Sequence, residues 1–389
     1  MTRETVLRNA EIVLDDEIVR GAVLIRDGLI TDITTGPLGT GEDLEGDYLL
    51  PGLVELHTDH LESHIMPRPG TNWDPIPAVL AHDAQLTSAG ATTVFDAVRI
   101  GAMAGADDAS QFARAMTDAI THVSESDIAR ADHFIHLRCE VSAPGCAEEF
   151  DAYDDVAAVR LASLMDHTPG QRQYADVEAF RRYMVGKGRL QADQIESHIA
   201  ELKQIAAVHS EPNRHAIAAK ATARGIALAA HDDATLEHVE ESAALGARIS
   251  EFPTTELAAV GAREHGQLVV MGAPNIVRGG SQSGNVAAAR LLAAGLLDIL
   301  SSDYVPASPL QAVFRVVAEG VIDLPAAVRF VSANPARAVG LGDRGRIAIG
   351  LRGDLIRVHS HSGAPTGQHP AGIPVPVVRG VWRTGRRVA

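Results

Sequence analysis

The stretch Leu49–Asp59 reads LLPGLVELHTD, an apolar run that stops at a histidine and an aspartate separated by one residue. Near-continuous apolar runs are typical of parallel strands that are covered on both faces. Alternate residues of a strand face the same side, so His57 and Asp59 can point the same way at its carboxyl end. The stretch therefore predicts a buried strand, Tyr48–His57, whose end carries two side chains able to bind a metal.

Seven further runs of this kind follow along the chain. They are Thr92–Val98, His133–Glu140, Arg160–His167, Ile226–His231, Arg248–Phe252, Leu268–Met271 and Leu297–Asp303. Helix-compatible segments lie between most of them, and eight β/α units predict a (β/α)8 TIM barrel of the α/β class. An open, doubly wound sheet is the alternative architecture, but no GxGxxG motif follows the first strand.

Both ends of the chain alternate polar and apolar residues in short runs separated by turn signals. Residues 5–35 show this pattern, as do GDRGRIAIGLRGDLIRVHS (342–360) and VPVVRGVWRTGRRV (375–388). We expect the two termini to meet in one small β-sandwich domain, formed by residues 1–47 and 339–389, with the barrel spanning residues 48–338.

Composition narrows the class of protein. The 389 residues are 46% hydrophobic and carry a formal net charge of −16 without a basic stripe, which argues against a nucleic-acid partner. No apolar run approaches the about 18 residues of a membrane span, and no signal peptide is visible. Two cysteines cannot build a disulfide framework. We expect a soluble, cytoplasmic protein, with a symmetric dimer as the prior for its oligomeric state.

Polar residues at the strand ends carry the functional signal, because barrel enzymes act at the carboxyl face of the strands. Five of the eight predicted strands end in His, Asp or Glu: His57 with Asp59, Glu140, Asp166 with His167, His231 with Asp232 and Asp233, and Asp303. Imidazole and carboxylate groups bind zinc and similar divalent ions. A single such residue is usually structural, but five converging strand ends predict a metal site. His60 and His64 are further candidates on the segment that follows strand one.

These motifs carry a resemblance to a known family. LLPGLVELHTD, SSDY (301–304) and GRIAIGLRGDLIRV (345–358) are similar to the signature segments of the amidohydrolases. The resemblance spans the whole chain and implies a distorted barrel, an appended β-sandwich and one or two divalent metal ions, with zinc expected first. The metal ligands it implies are His57, Asp59, Glu140, His167, His231 and Asp303.

The chain departs from the family pattern at two points. Asp59 replaces the second histidine of the usual His-x-His pair, so either Asp59 or His60 completes it. The two middle histidines fall on strands four and five instead of five and six. Glu140 would act as the bridging carboxylate, with an ion pair to Arg138 as the structural alternative. Asp303 is expected to take the proton from the attacking water as well as to bind metal.

Longer segments resemble one subfamily, the diphosphatases that act on a phosphorylated sugar phosphonate in the carbon–phosphorus lyase pathway. They include ELHTDHLESHIMPRPGTNW, LMDHTPGQRQY, MGAPNIVRGGSQSGNVAA and SSDYVPAS. This resemblance implies hydrolysis of the 5-triphosphate of a ribose 1-methylphosphonate to its 5-phosphate and diphosphate. A polyanion needs cations and donors around it. The candidates for binding this substrate are Arg68, Arg172, Lys187, Arg278, Gly279, Gly280 and Ser281, although each also has a purely structural explanation.

Two other functions are compatible with the same sequence features. Another amidohydrolase reaction, such as cyclic amide hydrolysis or nucleobase deamination, would use the same metal and water. A catalytically silent binding protein is a second alternative, which metal content and turnover would exclude. Neither Ser163 nor Cys139 lies in a nucleophile motif, and Cys139 is expected to pack in the core.

Overall fold

The computed structural model describes residues 3–101, 112–186, 193–281, 284–362 and 372–389. The strands before the barrel are β1 Glu4–Val13, β2 Ile18–Arg26, β3 Leu29–Thr35, β4 Glu42–Asp43 and β5 Tyr48–Pro51. The barrel strands are β6 Leu53–Thr58, β7 Ala91–Ile100, β8 Asp132–Glu140, β9 Val159–Met165, β10 Ala227–His231, β11 Ile249–Glu251, β12 Leu268–Gly272 and β13 Ile299–Ser301. The closing strands are β14 Leu355–His361, β15 Val375–Arg383 and β16 Arg386–Arg387.

The described helices follow the barrel strands along the chain. They are α1 Leu61–Ile65, α2 Pro75–Ser88, α3 Ala113–Glu125, α4 Cys146–Asp151, α5 Val177–Gly186, α6 Ile195–Arg224, α7 Leu236–Ala244, α8 Glu256–Glu264, α9 Ala273–Arg278, α10 Ala288–Ala293, α11 Ser308–Ala318, α12 Leu324–Arg329 and α13 Ala333–Ala338. Side-chain caps begin several of them. Asp74, Thr235, Thr255 and Asp323 each accept a hydrogen bond from a backbone N–H of the first turn.

The eight predicted barrel strands are confirmed. β6 to β13 are parallel and pair in chain order. At the seam between the first and last strands, Thr58 and Asp303 form a parallel bridge, and the backbone N–H of Asp303 donates to the carbonyl of His57 at 3.0 Å. The buried carboxylate of Glu55 also spans the seam, since it accepts from the backbone N–H of His57 at 2.8 Å and of Ser302 at 2.7 Å.

Strands from both termini form a second sheet, as the sequence predicts. Its order is β16-β15-β14-β5-β1-β2-β3, and β4 pairs with β1. Leu7, Ile12, Val23, Leu49 and Trp382 are buried in the separate core of this sheet. The fold is therefore a (β/α)8 barrel with an appended β domain.

The run predicted as one strand, 48–57, is two strands in the structure. β5 belongs to the terminal sheet, where it pairs with β1 and β14, and β6 begins the barrel. The chain changes sheet at Gly52, where a Cβ atom would lie 2.2 Å from Oγ1 of Thr92. Only glycine fits so close to the neighbouring strand. The strand Tyr48–Pro51 therefore lies in the terminal sheet, although the sequence predicted that the barrel begins at residue 48.

Inside the barrel, apolar side chains close the space below the mouth. Val54, Leu56, Phe95, Leu161, Ala229, Ile249, Val270 and Ile299 are all buried there. Such layers make the barrel a packed core and leave chemistry to the carboxyl ends of the strands. In the described residues no helix is long and apolar enough to cross a membrane.

Candidate active site

The first group of possible metal ligands joins the two ends of the barrel sheet. His57 is in β6, Asp59 follows β6, and Asp303 follows β13. One ligand atom from each of the three lies within 4.8 Å of the others. The backbone of Asp303 is left-handed, with φ 54°. Such a conformation is uncommon for a residue other than glycine and marks a constrained position. Burial raises the pKa of the Asp303 carboxyl, and the charge of Asp59 adds to this effect.

The second group lies across the mouth, at the ends of β9 and β10. His167, His231 and Asp232 bring their ligand atoms within 4.8 Å of one another. The Oδ2 atom of Asp232 lies 3.3 Å from Nε2 of His231 and 3.9 Å from Nε2 of His167. This oxygen is buried and has no hydrogen-bond partner among the residues that the structure describes. A buried carboxylate oxygen without a donor, facing two imidazole nitrogens, fits a bound cation.

Glu251, at the end of β11, connects the two groups from below. Its Oε1 accepts from Nδ1 of His57 at 2.8 Å, and its Oε2 accepts from Nδ1 of His231 at 2.7 Å. Burial alone would raise the pKa of the Glu251 carboxyl, but the charge of His57 and the hydrogen bonds from both imidazoles hold it well below its usual value. Both imidazoles are thus held by Nδ1, which leaves Nε2 of each for a ligand.

His136, on β8, lies under this pair and does not join either group. Its Nδ1 is 3.0 Å from the carbonyl of Leu56, and its Nε2 is hydrogen-bonded to the hydroxyl of Ser163. The same hydroxyl oxygen lies 2.7 Å from Oε2 of Glu251, so its single proton is shared between this oxygen and Nε2 of His136. Burial lowers the pKa of His136 to about 3, so it is neutral. His57, His136 and Glu251 also lie within 4.8 Å of one another, but their contacts form a hydrogen-bonded floor.

Glu140 holds His167, and both of its oxygens are occupied. Oε2 accepts from Nδ1 of His167 at 2.6 Å and from Arg99 at 3.1 Å. Oε1 accepts from the backbone N–H of His167 at 3.0 Å and from Ser142 at 2.7 Å. The bridging role predicted for Glu140 differs from this geometry, because four donors already surround the carboxylate. The alternative ion pair also differs, since the arginine is Arg99 instead of Arg138.

The histidines after strand one lie beside the first group. Nε2 of His60 and Nε2 of His64 are each 3.1 Å from Oε1 of Gln85, on α2. Neither histidine belongs to a group of possible metal ligands within the described residues. In this geometry Asp59, and not His60, completes the pair with His57.

The basic residues predicted to bind substrate have different surroundings. Arg172 is only 4% exposed, and its guanidinium is paired with Asp233 and with Glu241, to which NH2 donates at 3.0 Å. Arg68 lies after the first barrel strand, β6, and Arg278 is the last residue of α9, after the seventh barrel strand, β12; both are exposed. Lys187 lies outside the described residues.

Gly279 and Gly280, which the sequence indicated as candidates for binding phosphate, lie at the end of helix α9. The backbone N–H groups of Gly279 and Gly280 donate to the carbonyls of Ile276 and Asn275 at 3.1 and 2.9 Å. These donors close α9, and Gly279 has the left-handed backbone of a helix C-cap. Neither N–H is therefore directed at a phosphate in this conformation. Ser281 follows them and is half-buried.

The sequence pattern identified five strand ends but not Glu251, and it placed Asp232 at a strand end without assigning it as a metal ligand. The signal for Glu251 was present, since it is an acidic residue at the end of an apolar strand. It was overlooked because the strand was taken to end at Phe252. The expectation for Cys139 agrees with the structure, where its side chain is buried in the largest core cluster.

The barrel, the terminal sheet and two clusters of His and Asp at the mouth define a class of protein. Residues 84–389 match the model of the amidohydrolase family, and the chain belongs to that family. Amidohydrolases are metal-dependent hydrolases, and the two groups described above are sets of side chains in the described residues that could hold a divalent ion.

One relative is similar over almost the whole chain. It is the alpha-D-ribose 1-methylphosphonate 5-triphosphate diphosphatase of Escherichia coli (strain K12), 45% identical over 387 residues, which cover 98% of this chain and 100% of the relative. Two solved structures share the fold. The 5-methylcytosine deaminase from Klebsiella pneumoniae liganded with phosphonocytosine matches with TM-score 0.63 and 16% identity, covering 99% of this chain and 98% of that one. The dihydropyrimidinase from Brevibacillus agri matches with TM-score 0.58 and 14% identity, covering 99% and 95%.

Proposed function

We propose that this protein hydrolyses alpha-D-ribose 1-methylphosphonate 5-triphosphate to the 5-phosphate and diphosphate, in phosphonate catabolism. The observation that carries the proposal is the 45% identity to a diphosphatase of that name, which extends over 98% of this chain and 100% of the relative. The site supports it, since two groups of possible metal ligands suit a substrate that carries several negative charges.

The residues that would hold the metal are His57, Asp59 and Asp303 in one group, and His167, His231 and Asp232 in the other. We expect zinc, for which nitrogen and oxygen ligands of this kind are usual. When bound, a divalent ion lowers the pKa of a water ligand and neutralises charge on phosphoryl oxygens. Glu251 and Glu140 would orient the imidazoles from behind by their Nδ1 atoms.

Asp303 is the residue proposed to take the proton. A water oxygen forms a bond to a phosphorus atom of the α–β bridge, the bridging P–O bond breaks, and a carboxylate oxygen of Asp303 accepts the proton of the water. The bridging oxygen leaves with one of the two products. Burial raises the pKa of Asp303, which brings the carboxylate closer to the basicity that a general base needs.

Several loop residues are proposed to contact the substrate. Arg68 follows the first barrel strand, β6, and Arg278 follows the seventh, β12. Both side chains are exposed and open to a ligand. Alanine at Arg278 should raise KM or lower kcat for the triphosphate, and unchanged kinetics would remove it from the site. Gly279, Gly280 and Ser281 could contact phosphate if the end of α9 opens. Lys187 completes the proposed set, whereas Arg172, whose guanidinium is already paired with Asp233 and Glu241, is expected to support the fold.

We also propose that the protein is cytoplasmic and forms a symmetric dimer. Both cysteines, Cys139 and Cys146, are free and buried, which suits a reducing cytoplasm. A symmetric dimer is the expected state, which light scattering of the purified protein would check.

The test is turnover followed by phosphorus NMR. Metal-loaded protein is incubated with ribose 1-methylphosphonate 5-triphosphate, and the wild type is compared with Asp303→Asn. Asp298→Asn is the matched control. Asp298 precedes β13, whereas Asp303 follows it, so Asp298 lies at the opposite end of the barrel, where it pairs with Arg263. Diphosphate should appear with the wild type and the control, but not with Asp303→Asn. Metal-loaded wild type without product would overturn the proposal and favour amide hydrolysis or deamination.

A further inference from the structure

Two arginines lie side by side at the ends of the second and third barrel strands. Arg99 of β7 and Arg138 of β8 are register partners in the parallel ladder. Arg138 shares its face of β8 with His136 and Glu140, because alternate residues of a strand point the same way. Since those two side chains contact the site residues inside the barrel, Arg99 and Arg138 also face the mouth.

Arg138 is a largely buried cation with incomplete hydrogen bonding. Its side chain is 15% exposed, and NH1 approaches Oδ2 of Asp59 at 3.5 Å, which is a long contact. Its Nε is buried and has no hydrogen-bond partner in the described part of the chain. Burial disfavours the charged guanidinium, but the charges of Asp59, Glu251 and Asp303 raise the pKa of Arg138 and keep it protonated.

Arg99 extends this cationic surface towards the second group. Its side chain is 27% exposed, and NH2 donates to Oε2 of Glu140 at 3.1 Å. Arg138 thus borders the group of His57, and Arg99 borders Glu140, the partner of His167. Arg172, in contrast, is neutralised by Asp233 and Glu241.

The mouth is otherwise rich in carboxylates. Asp59, Asp232, Glu251 and Asp303 would repel a polyphosphate unless cations offset them. Guanidinium groups suit this task because their fixed fork of N–H donors matches two phosphoryl oxygens. A buried donor without a partner gains a hydrogen bond when such an anion enters.

We propose that Arg99 and Arg138 form a binding site for the polyphosphate chain of the substrate, beside the two groups of possible metal ligands. The proposal rests on the proposed function for its substrate class. It assigns the recognition of phosphate to the ends of β7 and β8, in addition to the exposed loops.

The test measures binding without turnover. Calorimetry follows the binding of inorganic triphosphate to metal-loaded wild type, Arg138→Met, Arg138→Lys and Arg99→Met. The control is Arg290→Met, which removes an arginine whose side chain is 71% exposed in an ion pair with Glu256 on the surface. The metal content of every variant is measured at the same time, because Arg138 also contacts Asp59.

The proposal expects the Kd for triphosphate to rise at least tenfold in Arg138→Met and in Arg99→Met, with the metal content unchanged. Arg138→Lys should recover part of the affinity, and Arg290→Met should equal the wild type. Unchanged affinity in both Met variants would overturn the proposal. A loss of affinity that occurs only together with loss of metal would also overturn it, because the arginines would then act through the metal ligands.

This experiment separates the inference from the proposed function. If triphosphate binds through the arginines but the sugar triphosphate is not hydrolysed, the anion site stands and the proposed function fails. If the sugar triphosphate is hydrolysed with unchanged kinetics in both Met variants, the proposed function stands and the anion site fails.

Discussion

Glu140 binds His167 through two separate contacts, at 3.0 Å from the backbone N–H and at 2.6 Å from Nδ1. The first fixes the end of β9, and the second fixes the direction of the imidazole ring. The carboxylate therefore determines where Nε2 of His167 points. This arrangement gives Glu140 a positioning role, which differs in its consequences from the bridging ligand that the sequence predicted.

Substitution of Glu140 by Gln should separate these two roles. If Glu140 positions His167, Glu140→Gln should weaken binding of one metal ion by about 10- to 100-fold and leave the other bound. The measurement is the number of ions retained after dialysis against a graded chelator. Glu148→Gln, an exposed change on α4, serves as control. Equal weakening of both ions would instead support a bridging ligand.

Glu251 is shared by both groups, so its substitution should affect both ions. In Glu251→Gln the amide cannot accept from the Nδ1 atoms of His57 and His231 at once, since one of its two atoms is a donor. We expect turnover of the triphosphate and retention of both metal ions to fall by about 10- to 100-fold. Glu264→Gln, at the exposed end of α8, is the matched control. Normal metal content with normal turnover would show that the imidazoles do not need this carboxylate.

Arg172 is expected to stabilise the fold more than it binds substrate. Arg172→Met would leave the buried carboxylate of Asp233 without its ion-pair partner, at a cost of about 3–5 kcal/mol in the free energy of unfolding. Urea unfolding measures this loss, and KM for the triphosphate should change less than twofold in the variant that remains folded. Arg278→Met removes an exposed arginine and should not alter stability. A raised KM with unchanged stability would return Arg172 to the substrate-binding set.

The barrel was predictable from sequence because each strand is a short apolar run, and the polar residue that ends it lies at the mouth. This pattern alone was enough to place His57, His231 and Asp303 at the mouth of the barrel. The contacts between strand ends could not be obtained in the same way. Glu251 is 194 residues from His57, and the closure of the barrel alone brings their side chains together.

Arg172 shows the same limit for charged residues. Its loop resembles a substrate loop, but the folded chain places Asp233 and Glu241 within reach of the guanidinium. The pair Pro51-Gly52 marks the point where residues 48–57 divide into two strands, but it does not show that the two strands belong to different sheets. Such features depend on packing against Thr92 of another strand, which no local pattern reveals.

His133 should make stability depend on pH through a buried network between β8 and α2. Its Nδ1 lies 2.7 Å from Asp96 and its Nε2 3.2 Å from Asp83, while His82 contacts Asp96 and Arg130 contacts Asp83. Burial opposes the charge of His133, but the two carboxylates raise its pKa to about 10. The pKa values of Asp96 and Asp83 are lowered by the same contacts.

The direction of the pH effect follows from these shifts. A histidine whose pKa is raised in the folded state contributes its full stability below its unfolded pKa of about 6.5, and this is lost as pH rises towards about 10. The carboxylates lose their contribution below about pH 4, where they become protonated in the unfolded chain. The difference in unfolding free energy between wild type and His133→Gln should therefore be largest near pH 5.5 and shrink by pH 9.5. Urea titrations at both pH values measure it, with His215→Gln, an exposed change on α6, as control. A difference that is the same at both pH values would mean that folding does not raise the pKa of His133.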